Sequence, residues 1–179
     1  MNYCSHCGAG LLLRKPDGDE RLRHVCDQCG LVHYQNPKII AGCIPVWENS
    51  ILLCKRAIEP RYGTWTLPAG FMELGETLEA AALRESWEEA RTNLAAEGLF
   101  AIFNVPHISQ VHVYFRARLL DHQFGAGVES LETRLFREHE IPWADISFQT
   151  VSHCLRLYLE DHRNRDFRLH IHDIVPDAA

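Results

Sequence analysis

Gly70-Phe71-Met72-Glu73-Leu74-Gly75-Glu76, followed after seven intervening residues by Arg84-Glu85-Ser86-Trp87-Glu88-Glu89, is the stretch on which the reading of this chain turns. Glu76 to Ala90 is rich in alanine, leucine and glutamate, which favour helix, and Leu78, Ala81, Ala82 and Trp87 recur at the spacing of a packing face. Glu85, Glu88 and Glu89 stand at i, i+3 and i+4. At about 3.6 residues per turn their carboxylates leave one patch of helix surface. Like charges placed this way cost an isolated helix about 0.2–0.5 kcal/mol per pair. A solvated acidic face is the plain alternative; Gly70, Glu76 and Arg84 at fixed offsets favour a cation held by oxygen ligands.

On either side of this helix the pattern changes to short apolar runs. Ile39 to Val46 and Ile51 to Cys54 flank Glu48-Asn49-Ser50, a strand-turn-strand signal. Leu94 to Val105, Gln110 to Leu120 and Thr133 to Arg137 read as strands, the middle one alternating Val111, Val113, Phe115 and Ala117. Thr150 to His162 returns to helical spacing through Val151, Cys154, Leu155, Tyr158 and Leu159. No pattern is assigned to the tail from Asp166.

The first 35 residues are of another kind. Cys4-Ser5-His6-Cys7-Gly8 and Cys26-Asp27-Gln28-Cys29-Gly30 are paired C-x2-C-G knuckles, the spacing of a four-cysteine zinc site. Two residues between cysteines let both thiolates face one ion, and the glycine admits a positive φ. Four sulfurs fill a tetrahedral site, so this zinc is expected to be structural, with His6 and His24 as surface residues. A thioredoxin-type redox pair needs a single motif beside a βαβ unit, and a nucleic-acid finger more base than Arg14, Lys15, Arg21 and Arg23, which Asp17, Asp19 and Glu20 offset. Cys43, Cys54 and Cys154 lie in apolar surroundings and read as buried thiols.

The segment from Gly70 to Glu89 resembles the Nudix box, G-x5-E-x7-R-E-U-x-E-E-x-G-U, in Gly70, Glu76, Arg84, Glu85, Glu88 and Glu89. It departs at Ser86, where an aliphatic residue is usual, at Arg91, where the closing glycine belongs, and at Thr92. The lost glycine is expected to alter the helix exit, with Asn93 a candidate for the left-handed position. The resemblance implies an α+β fold, the Nudix α/β/α sandwich on a mixed β-sheet, over residues 36–179, preceded by a zinc ribbon over residues 1–35. It also implies Mg²⁺ or Mn²⁺ held by Glu85, Glu88 and Glu89 with the Ala69 carbonyl, a structural ion pair between Glu76 and Arg84, and hydrolysis of a P–O–P bridge. A further catalytic carboxylate is expected at Glu132, which opens a predicted strand where the family supplies one; Glu129 and Glu73 are its rivals.

Beyond the box, Tyr34-Gln35-Asn36-Pro37-Lys38, Leu52-Leu53-Cys54-Lys55-Arg56, Trp65-Thr66-Leu67-Pro68-Ala69-Gly70 and Glu129-Ser130-Leu131-Glu132 resemble the group containing the plant chloroplast Nudix hydrolase active on FAD and ADP-ribose, and its bacterial relatives. The expected substrate is therefore FAD or ADP-ribose, with AMP released. NADH pyrophosphatases carry a Ser-Gln-Pro-Trp-Pro-Phe-Pro-type motif after the box, where this chain has Asn104-Val105-Pro106-His107-Ile108-Ser109-Gln110. The box itself is equally compatible with nucleoside triphosphates as substrates, and a non-catalytic nucleotide sensor is a competing reading from a different class. Tyr62, Trp65, Phe71 and Phe103 are candidates to stack on a base, against the commoner role of core.

A net charge of −6 and a pI of about 6.0 give no general field for nucleic acid. The longest apolar runs fall far short of the roughly 20 residues a spanning helix needs. A soluble, cytoplasmic protein without nucleic-acid or membrane partners is expected, and the family resemblance adds a homodimer.

Overall fold

The computed structural model describes residues 1–175 and divides into two compact units, Met1–Pro37 and Lys38–Ala179. In the first, β1 (Leu11–Arg14) pairs antiparallel with β2 (Arg23–Cys26), and β2 with β3 (Val32–His33). The unit buries little beyond Cys4, Val25 and Cys26, so apolar burial alone does not hold it together. Gly8 and Gly30 have φ of 75° and 72°, the left-handed conformation expected after each knuckle. Their N–H groups donate to the carbonyls of Cys4 and Cys26 at 3.0 and 3.1 Å.

The second unit is a sheet between two helices. Its strands are β4 (Lys38–Trp47), β5 (Ser50–Arg56), β6 (Trp65–Thr66), β7 (Ala69–Phe71), β8 (Leu94–Val105), β9 (Gln110–Leu119), β10 (Ser130–Arg137) and β11 (His170–Asp173). The main path runs β10-β5-β4-β9-β8-β11, with β6 on β5 and β7 on β4. β4 lies parallel to β9 and β11 parallel to β8, while the other pairs are antiparallel, so the sheet is mixed. α1 (Leu78–Ala90) covers one face and α2 (Gln149–Asn164) the other. This is the expected α/β/α sandwich.

Period-two alternation divides the strand residues between the two helices. Val113, Phe115 and Ala117 of β9, with Ala41 and Cys43 of β4, meet Ala81 and Ala82 of α1. Tyr114 and Ile44 point the other way and pack with Val151, Cys154, Leu155, Tyr158 and Leu159 of α2, all of them buried as their spacing predicts. Cys43, Cys54 and Cys154 are buried thiols, as expected. Trp87 is not: it is half exposed, with the Arg91 guanidinium over its ring at 4.2 Å. The inward positions are instead Ala81, Ala82, Ser86, Glu89 and Ala90, because the small residues bring α1 close to the sheet and leave no room for an indole. Ser86 tolerates full burial by donating to the Ala82 carbonyl at 2.7 Å.

The helix exit also differs from expectation. Arg91, not Asn93, takes the left-handed position, with φ 47° and ψ 38°, and its N–H closes on the Trp87 carbonyl at 2.9 Å. The tail left unassigned in the sequence forms β11, held to α2 by His170 and Asp161, whose Nε2 and Oδ2 lie 2.8 Å apart in a buried pair. Among the described residues no helix is long and apolar enough to cross a membrane.

Candidate active site

The loop from β7 to α1 and the first turns of α1 are locked by one guanidinium. Thr77 caps α1, its hydroxyl accepting from the Ala80 N–H at 3.1 Å. Arg84 donates from Nε to Glu76 Oε1 at 2.6 Å, from Nη2 to Glu76 Oε2 at 3.0 Å, and from Nη2 to the Phe71 carbonyl at 3.0 Å. This fork is the two-bond geometry that suits a carboxylate. The hydrogen bonds from Arg84, with the Glu73 N–H, hold the Glu76 carboxyl down to about 2. Glu76 and Arg84 thus stand together as an ion pair.

Glu85, Glu88 and Glu89 emerge from the next turn beside the β4–β7 junction. A Cβ on Gly70 would fall on the Glu85 carboxyl, so glycine is needed there to let this side chain lie against the loop backbone. Gly42, on β4, leaves similar room for the Ala69 side chain and the Pro68 carbonyl. Glu89 is buried and its Oε2 has no partner. Burial, reinforced by the charge of Glu85, pushes its carboxyl up to about 8, while the Ala69 N–H and Arg56 pull the other way. Burial also raises Glu85. Arg84 Nη1 reaches Glu85 Oε1 at 2.7 Å and Glu88 Oε2 at 3.0 Å, leaving the second oxygen of each carboxylate outside those bonds.

A buried orphan oxygen and two carboxylates sharing one protein cation make a hard donor set of the kind Mg²⁺ or Mn²⁺ takes. The residues present fit such an ion in chemistry. With Arg84 drawing Glu85 and Glu88 onto itself, their oxygens are not closed into a cage: among the described residues, the four cysteines are the only set of three or more His, Cys, Asp or Glu residues whose ligand atoms all lie within 4.8 Å of one another.

These groups line a cleft of about 820 Å³. One wall is acidic, with Glu73, Glu85, Glu88, Glu89 and Glu129. Ile40, Ile58, Phe71, Ile108, Val128 and Phe148 complete an apolar part of the lining. Arg56 faces the cleft and stands 5.1 Å over the Phe148 ring; among the described residues it forms no salt bridge. Glu132 is not in the cleft. It sits exposed on β10 opposite Lys55, beyond a register shift after Ser130, and that irregularity puts Glu129 and Glu132 in different places. Both of its rivals, Glu129 and Glu73, line the cleft. Of the aromatic candidates only Phe71 lines the cleft; Trp65 and Phe103 are core, and Tyr62 is exposed outside it.

The floor holds residues that the sequence pattern did not single out. Gln110, His112 and Tyr114 face the cleft, on the opposite side of β9 from Val111, Val113 and Phe115, so the alternation that marked the strand marked them as well. His112 Nε2 lies 2.9 Å from Gln110 Oε1 and its Nδ1 is buried without a partner. Burial pulls its pKa down to about 4 from an ordinary 6.5. The folded protein therefore binds fewer protons here than the unfolded chain between these values, and stability falls as pH drops through that window. His112→Gln is expected to flatten the decline of Tm between pH 6.5 and pH 4. An unchanged slope in thermal melts would show that His112 does not titrate this way.

In the ribbon, Cys4 and Cys29 Sγ are 3.7 Å apart, and Cys7 and Cys26 Sγ 3.4 Å. A tetrahedron with Zn–S bonds of about 2.3 Å has edges of about 3.8 Å, so the four sulfurs fit one zinc ion. The N–H groups of His6 and Cys29 each approach a knuckle sulfur at 3.4 Å. Hydrogen bonds from the Cys29 and Gln28 backbone bring the Cys26 thiol down to about 6, while hydrogen bonding to Cys26 raises its neighbours Cys7 and Cys29. His6 is exposed and His24 partly so, and neither is placed among the sulfurs; His33, by contrast, lies with Nε2 3.4 Å from Cys4 Sγ.

A carboxylate-bearing helix turn on a mixed sheet, tied by arginine to a glycine-started loop and lining a cleft of this size, is the arrangement expected of a phosphoanhydride hydrolase. Family comparison agrees: the profile described as "NUDIX domain" matches residues 36–154, and one described as "Nudix N-terminal" matches residues 2–35. The chain belongs to the Nudix family and is a Nudix hydrolase. An ADP-ribose pyrophosphatase of Methanocaldococcus jannaschii is 30% identical over 115 residues, covering 61% of this chain and 67% of that one. The NAD-capped RNA hydrolase NudC of Photobacterium profundum is 38% identical over 94 residues, 50% of this chain; the match spans only 32% of that relative's length. A crystal structure of a Nudix hydrolase from Nitrosomonas europaea superposes with a TM-score of 0.92 at 52% identity, covering 97% of this chain and 100% of that one.

Proposed function

We propose that this chain hydrolyses the pyrophosphate bond of a nucleoside diphosphate linked to a second moiety, ADP-ribose or FAD, and releases AMP. The observation that carries the reading is the cleft itself, which the acidic turn of α1 lines together with apolar side chains and Arg56, an arginine outside the salt bridges formed among the described residues. Glu85, Glu88 and Glu89 with the Ala69 carbonyl hold Mg²⁺ or Mn²⁺, and Cys4, Cys7, Cys26 and Cys29 hold a structural Zn²⁺. A divalent cation bound at the glutamates neutralises charge on the phosphoryl oxygens and acidifies water.

The protein's own groups supply the rest. Glu129 accepts the proton of the water that adds to phosphorus, the bridging P–O bond breaks, and the bridging oxygen leaves with the other phosphate. Arg56 steadies that second phosphate by charge-assisted hydrogen bonds. Phe71, Ile108 and Val128 supply the apolar surface that a base or flavin ring covers. Glu76 and Arg84 keep the loop and helix in register. The ribbon's balanced charge supports a structural role without nucleic acid, and a cytoplasmic homodimer completes the proposal.

The similarity to NudC proteins favours a second reading, a dinucleotide or its RNA-capped form as substrate. The purified protein, supplied with Mg²⁺ or Mn²⁺, is to be assayed for AMP release from ADP-ribose, FAD and NADH, and in parallel for hydrolysis of NAD-capped RNA and nucleoside triphosphates. ADP-ribose or FAD is expected to give the highest kcat/KM. A preference of about tenfold, or about 1.4 kcal/mol, for any of the others overturns the substrate assignment.

A further inference from the structure

We propose that Gly127 is a positioning residue whose missing side chain lets the loop ahead of β10 dock on the end of α1 and so sets Glu129 against the catalytic turn. This rests on the hydrolase reading above, in which Glu129 takes the proton. A Cβ on Gly127 would fall on the Glu88 carbonyl oxygen, with the Glu88 carbonyl carbon 2.8 Å and Glu89 Cα 3.1 Å away. Those atoms are helix backbone, which does not move aside as a side-chain tip does. The loop comes this close because it satisfies the helix: the Gly127 N–H donates to the Glu89 carbonyl at 2.9 Å and the Gly125 N–H to the Ala90 carbonyl at 2.8 Å. Such carbonyls, at the end of a helix, have no partner within it.

From Gly127 only Val128 separates the docked backbone from Glu129. On its far side Glu129 is fixed as well, its carbonyl accepting from the Ala57 N–H of the chain beyond β5 at 2.8 Å. The Ser130 N–H closes the turn on the Gly127 carbonyl at 3.1 Å. Glu129 is thereby suspended between α1 and the β5 side of the cleft, close enough for its charge to act on Glu85 and Glu89. The same residues that present the glutamate side chains on one face of α1 offer their carbonyls to this strap, so helix and Glu129 move as one piece. Gly125 shows the contrast: a Cβ there meets nothing within 4 Å.

Gly127→Ala is expected to lower kcat about a hundredfold while KM changes by less than about threefold, since a misplaced base is felt in the transition state and not in ground-state binding. Gly125→Ala keeps its N–H and is expected to retain kcat within about twofold. Glu129→Gln alone is expected to cost about a hundredfold or more, and to cost less than about threefold in the Gly127→Ala background. Amide exchange followed by NMR is expected to show slow exchange at residues 125 and 127 in the wild type and fast exchange in Gly127→Ala.

A Gly127→Ala enzyme with wild-type kcat, or effects of Gly127→Ala and Glu129→Gln that multiply, overturns the proposal. Should Gly127→Ala not fold, one glycine inserted between Gly127 and Val128 preserves both cap bonds but displaces Glu129, and unchanged kcat there is equally decisive. Failure of the underlying reading shows differently, as a wild type that hydrolyses neither ADP-ribose nor FAD; fast exchange at both amides of that protein would then remove the strap too.

Discussion

Glu88→Gln lowers kcat by about a thousandfold and leaves the protein folded, the largest catalytic loss expected of any single conservative change. Glu88 is about half exposed, and its protein partner is Arg84, through one bond of 3.0 Å. An exposed pair of that kind contributes about 0.2–1 kcal/mol, so Tm moves by only a few degrees. The amide keeps the size of the side chain but loses the charge that a dication requires. Steady-state kinetics beside a thermal melt separate the two effects. Turnover near the wild-type level would show that Glu88 is no ligand, and a large drop in Tm would show that its role is structural.

The second large effect lies in the ribbon. Its buried residues are few, and structural zinc in small motifs contributes about 10–16 kcal/mol of folding energy at neutral pH. Cys26→Ser is therefore expected to take the bound zinc from one equivalent to near zero and to abolish protected amides in residues 1–37. The hydrophobic clusters of the second unit are built from its own residues, so its melting transition persists. Acidification has the same effect by degrees, since thiolates must be protonated for the ion to leave, and zinc retention falls as pH falls. Elemental analysis with amide exchange reads both. Undiminished zinc in Cys26→Ser would place the ion elsewhere.

What could be read in the sequence followed from local regularities. Helix propensity and the spacing of Glu85, Glu88 and Glu89 located α1, and the C-x2-C-G pairs located the knuckles, because each depends on residues a few positions apart. Alternation marked β9 and the apolar stripe marked α2, while the sandwich that joins them was implied by the family resemblance. The misjudged positions depended on contacts across the fold. Trp87 has the spacing of a packing residue, but Ser86 and Glu89 are buried in its stead, since α1 approaches the sheet through small side chains and Glu89 faces the cleft. Glu132 lies outside the cleft that Glu129 lines, because a register shift after Ser130 and the docking of Gly127 on α1 are invisible in a linear pattern. β11 is four residues long and parallel to a strand some seventy positions away, a pairing that no local signal encodes.

The central claim is that the acidic turn of α1 collects a divalent cation at the cleft. Crystals soaked in Mn²⁺ and recorded at the manganese absorption edge test it most directly. A single strong anomalous peak within coordinating distance of carboxylate oxygens from Glu85, Glu88 and Glu89 is the predicted result, with Arg84 Nη1 withdrawn from at least one of them. Manganese bound away from that turn in crystals of enzyme that turns over substrate, with Arg84 still spanning Glu85 and Glu88, would contradict it.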